Sequence, residues 1–365
     1  MPKLRIAVLF GGRSGEHEVS LVSASSVLEH LDAAKYEVLP IGITKEGKWI
    51  AGPESLKLLK SGGALPAASN ALIKPEPFEA GHGEGELGNI DVVFPVLHGP
   101  YGEDGAVQGF LELTGIPYVG CGVLGSAVCM DKVMQKNVLK AEGFSQARYE
   151  WFWTSEWEAR KKEFLEEFGH VFPLFVKPAN LGSSVGISKA HNQSELSAAV
   201  QEAAKYDRKI IVEQGIIGAR EIEVAVLGNQ KPRASVAGEI FPSNEFYDYD
   251  AKYVDNASAS EIPAKLSKKD AKAIRDIALR AYRALDCEGM ARVDFLLGED
   301  GVAYINEVNT IPGFTSISMY PKLWEASGVN YAELLDELIR LALERADEKK
   351  KLLASYQPKQ KWYAD

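Results

Sequence analysis

The sequence predicts an α/β protein whose first part is a doubly wound parallel sheet. Leu4 to Phe10 is a compact apolar run that ends in Gly11-Gly12, as a buried strand feeding a turn does. Asp91 to Leu97 is a second such run, and a glycine-rich loop follows it at 99–105. Helix-like sequence from Glu16 to Leu31 lies between them, and strands alternating with helices make a parallel sheet. This first domain is expected to end near residue 125.

The remaining elements follow in order. The stretch 51–90 holds Ser61-Gly62-Gly63, Pro66, Pro75, Pro77 and a Gly/Glu segment at 81–88, which reads as a surface excursion with a short helix near 53–60. Met130 to Ala141 reads as a helix stopped by Gly143. Phe172 to Val176, Ile210 to Val212 and Ile222 to Leu227 read as strands. The segment 241–261 is loop-like and unusually aromatic. Asp270 to Leu285 places Ile274, Ile277, Ala278, Ala281 and Leu285 on one side of a helix. Strands at 291–297 and 302–308 are joined by Gly298-Glu-Asp-Gly301, and a closing helix covers 331–347. The Lys349 to Lys351 run reads as a solvated helix end.

Composition removes several function classes. The 365 residues carry a net charge of −10, which disfavours a duplex-DNA binder. Hydrophobic residues are 46% and charged residues 25%, an ordinary globular balance. The longest uncharged stretch, 113–130, contains Pro117 and four glycines and falls short of the ~20 apolar residues needed to span a bilayer. With no targeting segment evident, a cytoplasmic protein is expected. Cys121, Cys129 and Cys287 have no metal-ligand spacing and read as packing residues, so zinc is not expected.

The most informative region is 291–309. Arg292 and Asp294 are two apart on one strand, Glu307 and Asn309 two apart on the next, and a tight turn makes the strands antiparallel neighbours. If both pairs face the same way, one face carries an Arg, two carboxylates and an amide. Oxygen donors of this kind suit Mg²⁺, which binds through few carboxylates plus substrate phosphates. The alternative is a solvated hairpin face with cross-strand salt bridges. Gly182-Ser183-Ser184-Val185-Gly186, shortly after Lys177-Pro178, can bring backbone N–H groups and a cation to phosphate oxygens, though such loops are also linkers. No Walker-type Gly-x-x-x-x-Gly-Lys-[Ser/Thr] occurs. Gly120-Cys-Gly-Val-Leu-Gly125 fits a dinucleotide fingerprint by spacing alone, but Glu142, the acidic residue at the required distance, sits at a helix end. His98 ends a strand as a ligand-facing residue or a cap, and Glu16 stands at a strand-to-helix switch at a cleft edge or as a solvated helix entry.

Taken together, these motifs resemble one family. Gly11-Gly-Arg-Ser-Gly-Glu16-His-Glu-Val-Ser20, Leu97-His98-Gly99, Gly102-Glu-Asp-Gly105, Met130-Asp131-Lys132, Lys177-Pro178 through Gly186, Phe246-Tyr-Asp-Tyr-Asp-Ala-Lys-Tyr253, Ala291-Arg292-Val-Asp294 and Asn306-Glu307-Val-Asn309-Thr310 occur in the order seen in D-alanine–D-alanine ligases of the ATP-grasp superfamily. The resemblance implies a Rossmann-like N-terminal α/β domain over 1–125 and two α+β ATP-grasp lobes, 126–214 and 215–365, with 241–261 as a lid. It implies an ATP-dependent ligase that joins two D-alanines through a D-alanyl phosphate to give D-alanyl-D-alanine for peptidoglycan. The enzyme would be cytoplasmic and homodimeric, with no nucleic-acid or membrane partner.

The resemblance also implies roles for individual residues. Asp294, Glu307 and Asn309 would hold two Mg²⁺ ions, or Mn²⁺ in their place. Lys132 and Lys177 would hold the α and β phosphates, Lys252 the γ phosphate, Ser183 and Ser184 the phosphate loop, and Glu213 and Glu221 the adenine and ribose. Glu16 would take the first D-alanine's ammonium, linked through Ser183 to Tyr253. Arg292 and the Gly313 N–H would face the developing oxyanion. Ser318 and Met319 would hold the second substrate's carboxylate, and His98 would line the substrate site. Tyr253 favours D-alanine as the second substrate, with D-serine or D-lactate as alternatives. An ATP-grasp ligase of another acid and amine, a non-catalytic amino-acid or nucleotide sensor, and a nicotinamide enzyme are the competing readings.

Overall fold

The structure is a computed structural model that describes residues 2–62, the backbone of 72–73, and residues 89–241, 259–353 and 355–356. Three sheets organise it. In the first, Tyr36–Ile43, Leu4–Gly11 and Val92–Leu97 run parallel, and Trp49–Ala51 and Leu72–Ile73 add antiparallel strands at the Tyr36–Ile43 edge. The central Leu4–Gly11 strand has Ile6 to Phe10 wholly buried, as a strand covered on both faces must. Helix His17–His30 packs on it at the expected place. The strand at 36–43 escapes the sequence reading because Pro40 and Gly42 interrupt its apolar run. In the excursion 51–90 the expected short helix is present as Ser55–Ser61, and the strand pair at 49–51 and 72–73 adds regular structure beyond it; 63–71 and 74–88 lie outside the described residues.

The second sheet is antiparallel, in the order Ala259–Glu261, Arg233–Phe241, Arg220–Leu227, Met290–Leu297, Ala303–Asn309. One face carries Ile222, Val224, Val293 and Phe295 and is covered by the amphipathic helix Lys268–Ala284. The third sheet orders Tyr149–Trp153, Lys209–Gln214, Leu174–Pro178 and Ser188–Ala190, all antiparallel, with a core of its own beneath helices Trp157–Phe168 and Gln193–Ala203. Helix Lys132–Ala141 begins at Asp131, whose side chain accepts N–H bonds from Val133 and Met134 at 3.0 and 3.1 Å.

The closing helix spans Tyr331–Lys350. Leu334, Leu338, Leu341 and Ala342 share one core with Ile6, Phe94 and Val96 of the first sheet. Arg345 binds the carbonyls of Gly120 and Tyr118, and Lys349 pairs with Glu112, so the lysine run is partly tied down rather than fully solvated. A helix at Val123–Met130 starts inside the glycine pattern at 120–125. There a Cβ on Gly125 would lie 2.5 Å from the Asp286 carbonyl, so this glycine serves close packing. Among the described residues no helix is long and apolar enough to cross a membrane.

Candidate active site

The other face of the second sheet, part of it packed under the helix Met319–Ala326, carries the charges. Asp294 stands beside Glu307 on one neighbouring strand and Glu223 on the other, and Arg292 stands beside Asn309. The side chains two apart therefore share a face, as the spacing predicts. A β-bulge between Asp294 and Phe295 inserts Asn306 as an extra residue. It lets Ile305 and Val308 both enter the core while Glu307 and Asn309 line the cavity. Arg292 donates to both Asp294 oxygens at 2.7 and 2.6 Å and lies 3.1 Å from Glu223 Oε2. Burial alone would lower the Arg292 pKa, but Asp294 and Glu223 outweigh it and hold the guanidinium charged.

Two adjoining cavities meet at this face. The larger, of about 440 Å³, is lined by Glu16, His98, Asn309, Gly313, Ser318 and Met319 among others. The smaller, of about 130 Å³, is lined by Lys177, Ser184, Glu213, Glu221 and Asp294. Lys132, Ser183, Arg292 and Glu307 belong to both walls. All the sequence-predicted site residues that are described thus fall on one connected site. Lys252, Tyr253 and most of the 241–261 lid lie outside the described residues.

The smaller cavity has a cationic floor. Lys177 Nζ lies 3.1 Å from Glu213 Oε2 and the fully buried Lys136 Nζ 3.4 Å from it. Burial would raise the Glu213 carboxyl, but these two ammonium groups outweigh it and hold the group below the usual carboxylate range. Lys132 donates to the Leu181 carbonyl at 2.6 Å and stands 3.9 Å from Glu307. Ser183 and Ser184 both adopt left-handed backbone, with φ of 47° and 61°, a strain expected at a ligand loop.

The larger cavity joins parts distant in sequence. Ser183 donates to Glu16, connecting the first sheet's helix entry to the loop after Lys177. The Glu16 carboxylate is squeezed between two glycines: a Cβ at Gly182 would lie 2.5 Å from Oε2, and one at Gly99 would lie 2.6 Å from it. His98 commits both ring nitrogens to the protein, Nδ1 to the Ile311 carbonyl and Nε2 to Ser23 Oγ, each at 3.1 Å. Burial lowers its pKa to about 4, so the ring is neutral and acts by holding the 311–314 loop. In that loop the Gly313 N–H has no hydrogen-bond partner among the described residues and lines the cavity. Ser318 Oγ accepts the Thr315 N–H at 3.1 Å.

Four residues of the site carried no role in the sequence reading. Glu223 was discoverable, because it stands two positions after Glu221 on a strand. Glu103, within the Gly102–Gly105 motif, is buried and accepts the Gly99 N–H at 2.7 Å. Burial and the neighbouring Glu16 push its carboxyl well above the usual range. Lys136 and Lys322 had no local signal. The three cysteines are free and buried, with Cys129 and Cys287 sulfurs 3.7 Å apart, consistent with packing.

The donor set fits magnesium. Asp294, Glu307 and Asn309 offer hard oxygen donors on one face of the sheet. Among the described residues no group of three His, Cys, Asp or Glu side chains that could hold a metal ion is found.

Residues 5–121 match the family described as D-ala D-ala ligase N-terminus, and residues 138–340 match D-ala D-ala ligase C-terminus. The chain is 53% identical to the D-alanine--D-alanine ligase of Natranaerobius thermophilus, over 96% of this chain and 97% of that one. It is similar to the solved D-alanine-D-alanine ligase of Coxiella burnetii, with TM-score 0.79 and 39% identity over 96% and 97% of the two chains. It is also similar to the VanG D-Ala:D-Ser ligase of Enterococcus faecalis, with TM-score 0.80 and 38% identity over 93% and 100%.

Proposed function

Since this chain belongs to the D-alanine–D-alanine ligase family, we propose that it joins two D-alanines at the expense of ATP, through a D-alanyl phosphate, to give D-alanyl-D-alanine for peptidoglycan. The observation that carries the reading is the common wall of the two cavities, formed by Lys132, Ser183, Arg292 and Glu307. A nucleotide in the smaller cavity directs its terminal phosphate at that wall, and the amino acids occupy the larger one. Lys132 and Lys177 steady the phosphates, while Glu213 and Glu221 face the nucleoside. Glu16, buttressed by Ser183, orients the first D-alanine through its ammonium.

A carboxylate is a poor electrophile until phosphorylation gives it a leaving group. Phosphoryl transfer and amine attack both build negative charge on oxygen. Arg292 and the Gly313 N–H meet that charge, and Ser318 and Met319 hold the second substrate. Asp294, Glu307 and Asn309 would hold two Mg²⁺ ions, or Mn²⁺ in their place, which neutralise phosphate charge when bound. Lys252 and Tyr253 belong to the same reading on sequence alone, with 241–261 closing over the site to exclude water. The enzyme works in the cytoplasm as a homodimer.

The test is product identity. The protein is incubated with ATP, Mg²⁺ and D-alanine, alone and paired with D-serine or D-lactate, and products are identified by mass. D-alanyl-D-alanine is expected to dominate. Predominant D-alanyl-D-serine would favour the D-serine reading, for which the likeness to VanG speaks. Phosphate release without any D-alanyl product would overturn both.

A further inference from the structure

Thiols from separate segments meet beside the larger cavity. Cys129, in the last turn of helix Val123–Met130, lines that cavity. Its sulfur lies 3.7 Å from that of Cys287, on the turn leading into strand Met290–Leu297. Cys121 also hydrogen-bonds Cys287, but its sulfur is held by backbone. It accepts the Glu288 N–H at 3.4 Å and faces the Glu288 and Met290 carbonyls at 3.3 and 3.5 Å. The ligase chemistry uses none of the three.

The backbone of Cys129 is tied to the charged sheet. Its carbonyl accepts Gln135 Nε2 at 2.8 Å. The same buried amide pairs with Val308: Nε2 donates to its carbonyl and Oε1 accepts its N–H, each at 3.1 Å. Val308 lies between Glu307 and Asn309 on the outer strand of its sheet. Gln135 thus stands where a further strand would, and joins the thiol pair to the strand that carries two of the three oxygen donors.

We propose that Cys129 and Cys287 form a peroxide-sensitive pair whose oxidation to a disulfide weakens Mg²⁺ binding at the ligase site; the effect on the site rests on the ligase reading above, the disulfide does not. The oxidant is a small hydroperoxide that enters the open cavity. Cys129 sulfur takes one peroxide oxygen and becomes S–OH as the O–O bond breaks. The thiol proton leaves with the other oxygen, as water when the oxidant is hydrogen peroxide. Cys287 sulfur then displaces the hydroxyl, which departs with the Cys287 proton as a second water, and an S–S bond forms. The two thiols lose two electrons and one peroxide gains them. The sulfurs must close from 3.7 Å to about 2.05 Å, so the end of the helix is drawn toward the turn. Gln135 passes that shift to Val308 and so to its two neighbours.

The test begins with the bond itself. The protein is treated with hydrogen peroxide, freed of excess, its remaining thiols blocked, and its peptides mapped by mass. A linked pair of Cys129 and Cys287 peptides, short of two hydrogen atoms, is expected. The Mg²⁺ concentration giving half-maximal phosphate release with ATP and D-alanine should rise roughly tenfold, the scale on which groups supporting metal ligands act. Dithiothreitol should restore it. Cys287→Ala should turn over like the parent, show no reversible loss, and trap dimedone at Cys129, whose S–OH then has no partner. A Cys121–Cys287 link, no link at all, or a linked protein with an unchanged Mg²⁺ requirement would overturn the proposal. If untreated protein makes no D-alanyl product, it is the ligase reading that fails, and the peptide map still decides the thiol pair.

Discussion

Arg292 grips both carboxylate oxygens of Asp294, its neighbour two residues along the same strand, at 2.7 and 2.6 Å. The same guanidinium reaches Glu223 across the sheet, so one planar fork holds two buried carboxylates in register. A lysine cannot do this. Arg292→Lys is expected to cost about 1–3 kcal/mol in urea unfolding, the price of a poorly satisfied buried charge. Its turnover should fall roughly hundred- to thousandfold, in line with loss of one oxyanion donor.

Glu307→Gln tests the metal assignment. It keeps the side-chain volume and removes one negative charge from a half-buried position 3.9 Å from Lys132. Steady-state rates across a Mg²⁺ titration should show at least about a tenfold higher requirement for the ion, with turnover strongly reduced. The melting temperature should stay near that of the parent. Near-normal turnover at low Mg²⁺ would refute the assignment.

Gly182→Ala probes the glycine sandwich around Glu16. The added methyl would lie 2.5 Å from Oε2, and the yielding part is the end of a side chain rather than the backbone. The protein should fold normally while Glu16 is pushed aside. Because small displacements of a substrate-orienting group cost up to about a hundredfold, kcat/KM for D-alanine should drop on that scale. An unchanged value would mean that Glu16 does not orient the substrate.

His98 gives an acid-side signature. In the unfolded chain an imidazole takes a proton near its ordinary value of 6.5, but the buried ring resists protonation until about 4. Between those values the unfolded state binds more protons, so stability falls as pH drops from 6.5 toward 4. Melting curves of His98→Gln across that window should be flatter than those of the parent. Parallel curves would place the ring in a more exposed setting.

Glu103 gives the opposite signature. Burial and Glu16 push its carboxyl well above the usual range, so between pH 4.5 and that raised value the unfolded chain loses a proton that the fold keeps. Stability contributed by this group is therefore fully present at low pH and declines as pH rises. Glu103→Gln should melt higher than the parent at pH 8 and about equally at pH 4.5. A variant less stable at both values would show that Glu103 is ionised in the folded protein.

Much of the site was legible because strands carry a strict period of two. Arg292, Asp294, Glu307 and Asn309 could be placed on one face from spacing and a short turn. The bulge at Asn306 was not legible, since nothing local marks an extra residue that lets Ile305 and Val308 both face inward. Strand Tyr36–Ile43 was hidden by Pro40 and Gly42, which its buried neighbours tolerate. The Glu16–Ser183 bond joins residues 167 apart, and only the motif order hinted at it. Lys136 sits in the core against Glu213 and the Tyr149 ring, tertiary pairings invisible in a helical pattern.

The distribution of apolar contacts has a mechanical consequence. The first sheet and the closing helix are fused by a common core, whereas the sheet spanning 149–214 folds around a core of its own. Its links across the cleft include polar ones, Lys177 with Asn306 and Ser183 with Glu16. Polar links exchange readily with water, while fused apolar layers do not. The sheet at 149–214 is thus the jaw and the fused layers the anvil, and amide exchange should find the jaw opening as a unit while the anvil stays shut.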